Sequence, residues 1–181
     1  MTDATRYTRT AIALHWLVAL LIFIAFPLGL YMHGLVLSPF KLKLVSYHKW
    51  IGVTVFLLTL ARLAWRMKHV PPPLPDTIPL WQQRAAHSMH FLLYVLLMAI
   101  PLSGWLMSSA KGFTVVYLGL VPLPDLVGKD KALGDLLAEV HETLNFGLLA
   151  LVCLHVAAAL KHHFIDRDAT LRRILPFGKG V

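Results

Sequence analysis

The chain holds ten histidines, and their positions are what could do chemistry. His15, His48, His141, His155 and one of His87 and His90 fall on long apolar stretches that carry almost no charge. An imidazole in hydrocarbon is costly without a partner, so residues of this kind are functional candidates. His141 and His155 stand 14 residues apart. On a helix that spacing is about 21 Å and close to four turns, so both rings point to one face at different depths.

Those imidazoles need elements to carry them. A composition 57% hydrophobic with mean hydropathy +0.67 belongs to a membrane protein. Four apolar segments, 11–37, 44–65, 85–107 and 140–164, each supply the roughly 20 residues that cross a ~30 Å hydrocarbon layer as a helix. The expected fold is therefore all-α, an integral membrane four-helix bundle, with residues 1–181 forming one transmembrane domain. The first segment follows Arg6 and Arg9 like a secretory leader, but its apolar run is too long and lacks a small-residue cleavage site, so it is expected to be retained. Pro27 and Pro101 fall inside segments and are read as kinks, because neighbouring helices can satisfy the carbonyls they free.

Charge gives orientation. The net charge is +8, yet the basic residues flank apolar spans and form no single face, which argues against nucleic acid. Eleven of them (Arg6, Arg9, Arg62, Arg66, Lys68, Arg84, Lys161, Arg167, Arg172, Arg173 and Lys179) fall on one side, and six lysines (Lys41, Lys43, Lys49, Lys111, Lys129 and Lys131) on the other. The positive-inside rule then puts both termini and the Pro71-Pro72-Pro73 loop in the cytoplasm. The stretch 67–79 reads as a stiff connection. The outer segment 111–135 reads as an ordered cap with a short helix near 131–137. Trp16, Trp50, Trp65, Trp81 and Trp105 read as an interfacial belt. The lone Cys153 excludes an intramolecular disulfide and a multi-cysteine metal cluster.

With that topology the histidines sort by depth into an outer pair, His48 with His141, and an inner pair, His15 with His155, with His87 or His90 in reserve at the inner level. Two facing imidazoles on neighbouring helices are what a six-coordinate haem b requires. Gly29, Gly52 and Gly104 are plausible gaps for the macrocycle, although small residues at helix contacts have an ordinary packing explanation. Zinc is the rival metal, but it usually takes three or four N, O or S ligands at one centre. Glu139 and Glu142 fit the outer headgroups better. His33, His69 and His163 read as solvated. His162, seven residues past His155, is placed to give a proton or hydrogen bond to something docked beside the inner level, or else to snorkel beside Lys161.

Ordered motifs then carry a resemblance. Tyr7-Thr8-Arg9 precedes Leu14-His15-Trp16, Gly52 follows His48, and Arg62-Leu63 with Arg66 precedes Pro71-Pro72. Ala86-His87-Ser88-Met89-His90, Leu93-Tyr94, Pro101 and His141-Glu142-Thr143-Leu144 follow, and Leu154-His155-Val156-Ala157-Ala158-Ala159-Leu160 with His162-His163 closes the series. Over nearly its whole length the chain resembles bacterial cytochrome b561, the four-helix dihaem family that includes superoxide oxidase. The resemblance implies two haem b groups, held by His15 with His155 and by His48 with His141. It sets His87 and His90 aside for a quinone or propionate role. It implies a multi-pass protein of the bacterial inner membrane in which superoxide, or another outer one-electron donor, is oxidised and electrons pass to ubiquinone near His162, a superoxide:quinone oxidoreductase. Lys49, Lys111, Lys129 and Lys131 could steer a small anion to the outer face. Two alternatives stay open: an electron-carrying subunit for a partner dehydrogenase, and a haem-free histidine-lined transporter.

Overall fold

The structure, a computed structural model, describes residues 6–73 and 78–177. Lys179 and residues 74–77 of the proline-rich connection lie outside the described residues. Four long helices dominate: α1 (Arg9–His33), α2 (Pro39–Lys68), α3 (Leu80–Ala110) and α4 (Lys131–Lys161), the last continuing as a π-helical turn, His162–Asp166. All four are long and apolar enough to cross a membrane.

Local chemistry sets their ends. The hydroxyls of Thr8 and Ser38 accept from the amides of Ala11 and Lys41, and the Asp130 carboxylate accepts from Leu133, so three of the helices start on a side-chain cap. α1 stops at His33, four residues short of the apolar run, because Gly34 ends it and Ser38, held extended before Pro39, already opens α2. α4 begins nine residues before Val140. The expected short helix at 131–137 is its first two turns, which project beyond the apolar run with Gly134 tucked against Ala110 and Lys111. α2 and α3 likewise overrun their apolar segments at both ends. Pro27 and Pro101 lie within continuous helices.

Packing follows chain order: α1 against α2, α2 against α3, and α3 against α4, the last contact being the broadest. At mid-depth Val18, Val55, Leu97, Ile100 and Leu148 meet in a small core drawn from all four helices. Many other large apolar side chains, Phe23, Phe91 and Leu154 among them, are more than half exposed. Such a surface suits lipid rather than water.

The ends of the bundle are closed differently. At one end residues 111–130 form a cap around a short hairpin, Val116–Tyr117 with Val121–Pro122, with Gly112, Leu118 and Gly119 at positive φ in its turns. Trp50 Nε1 donates to Val116 O at 2.7 Å and Trp105 Nε1 to Pro124 O at 3.1 Å. Thr54 meets the Tyr117 hydroxyl at 3.0 Å, and Ser108 donates to Phe113 O. At the other end the chain reverses at Arg167 (φ 55) and its tail folds back. Trp16 Nε1 donates to Ile174 O at 2.8 Å, Arg6 to Leu175 O at 2.7 Å, Arg173 to Pro73 O at 2.6 Å and Trp65 Nε1 to Thr8 Oγ1 at 2.9 Å. Arg6, the stretch 173–175 and Pro73 thus share one end of the bundle. Four of the five indoles, expected to form a belt, serve as tethers, and Trp81 is exposed.

Candidate metal centres and the pocket at the terminal end

The cap-end pair sits on α2 and α4. The rings of His48 and His141 lie 6.3 Å apart between centroids and 78° apart in plane. They face a cavity of about 260 Å³ with almost wholly apolar walls, lined also by Ala25, Pro27, Gly52, Pro101 and Leu149. His141 Nδ1 lies 3.1 Å from Ile100 O and 3.0 Å from Ser103 Oγ, and Ser103 itself donates to Ile100 O at 2.8 Å. A carbonyl only accepts, so Nδ1 carries the hydrogen and the Nε2 lone pair is left for a metal.

The terminal-end pair sits on α1 and α4. His15 and His155 are also 6.3 Å apart, at 64°, and His90 of α3 stands 5.5 Å from His155. His87 turns away, exposed, with Nδ1 bonded to Gln83 O at 2.7 Å. α3 therefore brings His90 and not His87 to this level. Among the described residues the Nδ1 of His15 is buried without a hydrogen-bond partner.

These separations test the fit to haem. A metal–imidazole bond of about 2.0–2.1 Å, with the ring centre roughly 1.1 Å beyond the bonded nitrogen, puts two rings sharing one axial metal about 6.3 Å apart. Both pairs have that spacing, whereas His90 and His155 are too close for it. The residues fit the group. The glycines divide: a Cβ on Gly29 lies 3.2 Å from His48 Cε1 and one on Gly104 lies 3.1 Å from His141 Cε1. Gly29 and Gly104 thus make room for the imidazoles themselves. Gly52 meets nothing within 4 Å and borders the cavity.

Past His155, His162 Nδ1 donates to Asp168 Oδ2 at 2.6 Å and lies 3.2 Å from Asp166 Oδ2. Asp166 in turn pairs with Lys161 at 2.6 Å. Burial works to raise the Asp168 pKa, but hydrogen bonds from Thr170 and His162 outweigh it and hold the carboxyl below its ordinary value. His162 is thus held by a carboxylate rather than snorkelling freely. His33 and His69 are exposed, His69 with its ring stacked on Trp65 at 4.0 Å, whereas His163 buries its Nδ1 and is not simply solvated. The four outer lysines are tied separately. Lys49 donates to Phe113 O at 3.3 Å and Lys131 pairs with Asp135 at 3.0 Å. Lys129 lies over Gly112, and Lys111 lies against Gly134.

Sequence reasoning missed Ser103, Asp168 and the placing of Arg62. Arg62 follows His48 by 14 residues, which was a usable signal for the terminal-end level.

A four-helix membrane bundle with imidazoles paired across it at two depths defines a membrane cytochrome b. The profile of the prokaryotic cytochrome b561 family matches residues 6–177. The chain is 37% identical over 172 residues to cytochrome b561 homolog 2 of Escherichia coli (strain K12), covering 94% of this chain and 91% of that one. It is 32% identical over 176 residues to cytochrome b561 homolog 1 of the same strain, covering 94% and 97%. It is 28% identical to the probable superoxide oxidase CybB of Yersinia pestis, covering 97% and 98%. The chain belongs to the prokaryotic cytochrome b561 family. It is accordingly a multi-pass membrane protein of a haem-binding, electron-transferring family.

Proposed function

We propose that the chain carries electrons across the bacterial inner membrane between two b-type haems, one clamped by His48 and His141 and the other by His15 and His155. Superoxide is oxidised at the cap end and ubiquinone is reduced at the terminal end. The observation that carries this reading is the equal 6.3 Å spacing of the two imidazole pairs. The b-type haems, when bound, supply one-electron carriage.

The protein's own groups do the rest. Ile100 O and Ser103 fix the tautomer of His141 and orient its ring. The core of Val18, Val55, Leu97, Ile100 and Leu148 keeps water out of the space between the two levels. Among the described residues ten basic side chains, against two acidic ones, gather at the terminal end, which supports its placement in the cytoplasm. Quinone needs protons there. Two superoxide ions give up one electron each and leave as dioxygen, and the quinone takes both electrons with two protons to become quinol. His162, held through Nδ1 by Asp168, is within reach of the cytoplasm to pass a proton from Nε2. His90 lies deeper, beside His155. Six lysines face five carboxylates at the cap end, so steering by Lys49, Lys111, Lys129 and Lys131 acts over a short range only.

The deciding experiment is pyridine haemochrome quantification of the purified protein, followed by stopped-flow mixing with superoxide in the presence of a soluble quinone. Two haems b per chain and catalytic quinol formation are expected, with one haem lost from His141→Leu and one from His155→Leu. A colourless, folded preparation from haem-replete cells ends the proposal. Two haems without superoxide consumption move the donor role to a partner dehydrogenase.

A further inference from the structure

Arg62 is a membrane-depth cation with no carboxylate paired to it among the described residues. It stands on the face of α2 that bears His48, 14 residues further on, and so about 21 Å deeper, at the level of His15 and His155. It lies within electrostatic reach of His15, His90 and His155. Its guanidinium carbon is 5.4 Å from the centre of the Tyr94 ring. A small cleft of about 30 Å³ opens beside it, bordered by Tyr7, Trp65, Arg66, His69 and Tyr94. Two other described arginines of this end, Arg6 and Arg173, instead donate to the carbonyls of Leu175 and Pro73. Among the described residues no ion pair involves Arg62 or Arg66. Two guanidiniums close to each other and to three imidazoles, with only an aromatic face for compensation, are costly at this depth. An anion relieves that cost, and a planar guanidinium suits a carboxylate in particular.

We propose that Arg62, supported by Arg66, binds a carboxylate of the haem held by His15 and His155, and by doing so sets that haem's potential above the value it has without the cation. This inference rests on the dihaem reading above. The cap end has no counterpart, since its cations are all lysines and none lies on the cavity between His48 and His141.

The test is an equilibrium redox titration of the purified holoprotein, comparing wild type with Arg62→Gln and Arg62→Lys, with haem counted in each. Absence of haem in the wild type sinks the proposed function and this inference together. With two haems present, one of the two redox components is expected to move in Arg62→Gln. Loss of the cation favours the ferric form by about tenfold, or about 59 mV for a one-electron couple, and Arg62→Lys restores most of the difference. In Arg62→Gln that component also becomes pH-dependent: its potential falls as pH rises, because the freed carboxylate binds a proton at low pH that the guanidinium excludes in the wild type. Haem labelled with ¹³C in its propionates separates the sources of the anion. A carboxylate band that shifts in the variant supports the haem as source, and an unshifted band overturns it in favour of a lipid phosphate or another anion. Unchanged potentials and pH profiles at two haems per chain overturn the inference and leave the dihaem function standing. If Arg62→Gln sheds a haem, Arg62→Lys carries the same decision, since it keeps the charge and loses only the planar fork.

Discussion

The two imidazole pairs share one spacing and differ in nearly everything around them. At the cap end the pair faces an apolar cavity, one ring is locked by neutral acceptors, and two indoles fasten a rigid lid to the helices. At the terminal end the pair has a third imidazole and two guanidiniums nearby, and a His–Asp dyad follows about two turns past His155. Two sites built alike at their centres are thus given opposite surroundings, dry and neutral at one end, cationic and proton-bearing at the other. The function proposed above, single electrons taken at one end and joined to protons at the other, calls for that inequality.

The most severe way to break the comparison is steric. Gly104→Val places side-chain atoms where the His141 ring lies, since a Cβ there already approaches Cε1 to 3.1 Å. The variant is expected to lose about half its haem and to keep the redox component of the terminal end, as read by haemochrome quantification and redox titration. Retention of both haems would show that the cap-end clamp tolerates displacement. Gly29→Val should act on His48 in the same way.

Next in size is the proton side. His162→Leu is expected to slow quinol formation by about 10²-fold, in the lower part of the range for positioned acid–base groups, while stopped-flow reduction of the haems by superoxide stays at the wild-type rate. Asp168→Asn should give a smaller loss in the same direction. Because the folded-state pKa of Asp168 lies below its ordinary value, its stabilising effect is present above the unfolded value of about 3.9 and fades as pH falls through the folded value. Melting curves of wild type and Asp168→Asn should therefore differ at pH 7 and converge in strong acid. A quinol rate that ignores both substitutions removes the dyad from the function.

A finer cut is Ser103→Ala, which takes away one partner of His141 Nδ1 and leaves Ile100 O in place. About tenfold weaker haem retention at the cap end is expected, the lower bound for outer-sphere partners, measured by transfer of haem to a scavenging apoprotein. Equal retention would mean that Ile100 O alone fixes the tautomer. The smallest effect belongs to the lysines. Neutralising Lys49, Lys111, Lys129 and Lys131 together should lower the superoxide on-rate only a few-fold and flatten its salt dependence, given the five carboxylates nearby. A change of two decades would mean that the four act as one funnel.

Depth was legible in the sequence and azimuth was not. Spacings of 14 residues put His141 above His155, and loop charge put His48 and His15 at matching levels, so the pairing could be read before any coordinates. Which of His87 and His90 faces inward depends on the rotation of α3 about its axis, and three residues of sequence do not settle that. Gly29 and Gly104 were read as gaps for a macrocycle because their depth was known and their neighbours were not; each lies against an imidazole. The start of α4 was missed because hydropathy marks where hydrocarbon begins, whereas Asp130 caps a helix that starts well outside it. Arg62 bears on orientation as one of the flanking cations, and its offset of 14 from His48 also places it at the terminal-end level.

Both clamps borrow one jaw from the same helix, since His141 and His155 ride together on α4 while their partners sit on α2 and α1. Under the proposed ligation, biogenesis therefore has a forced order. A nascent chain arrested before Val140 has already threaded His15, His48 and His90 into the bilayer, yet it can grip nothing at either level. Cofactor loading must wait for the last span to arrive, and both berths come into existence in a single event.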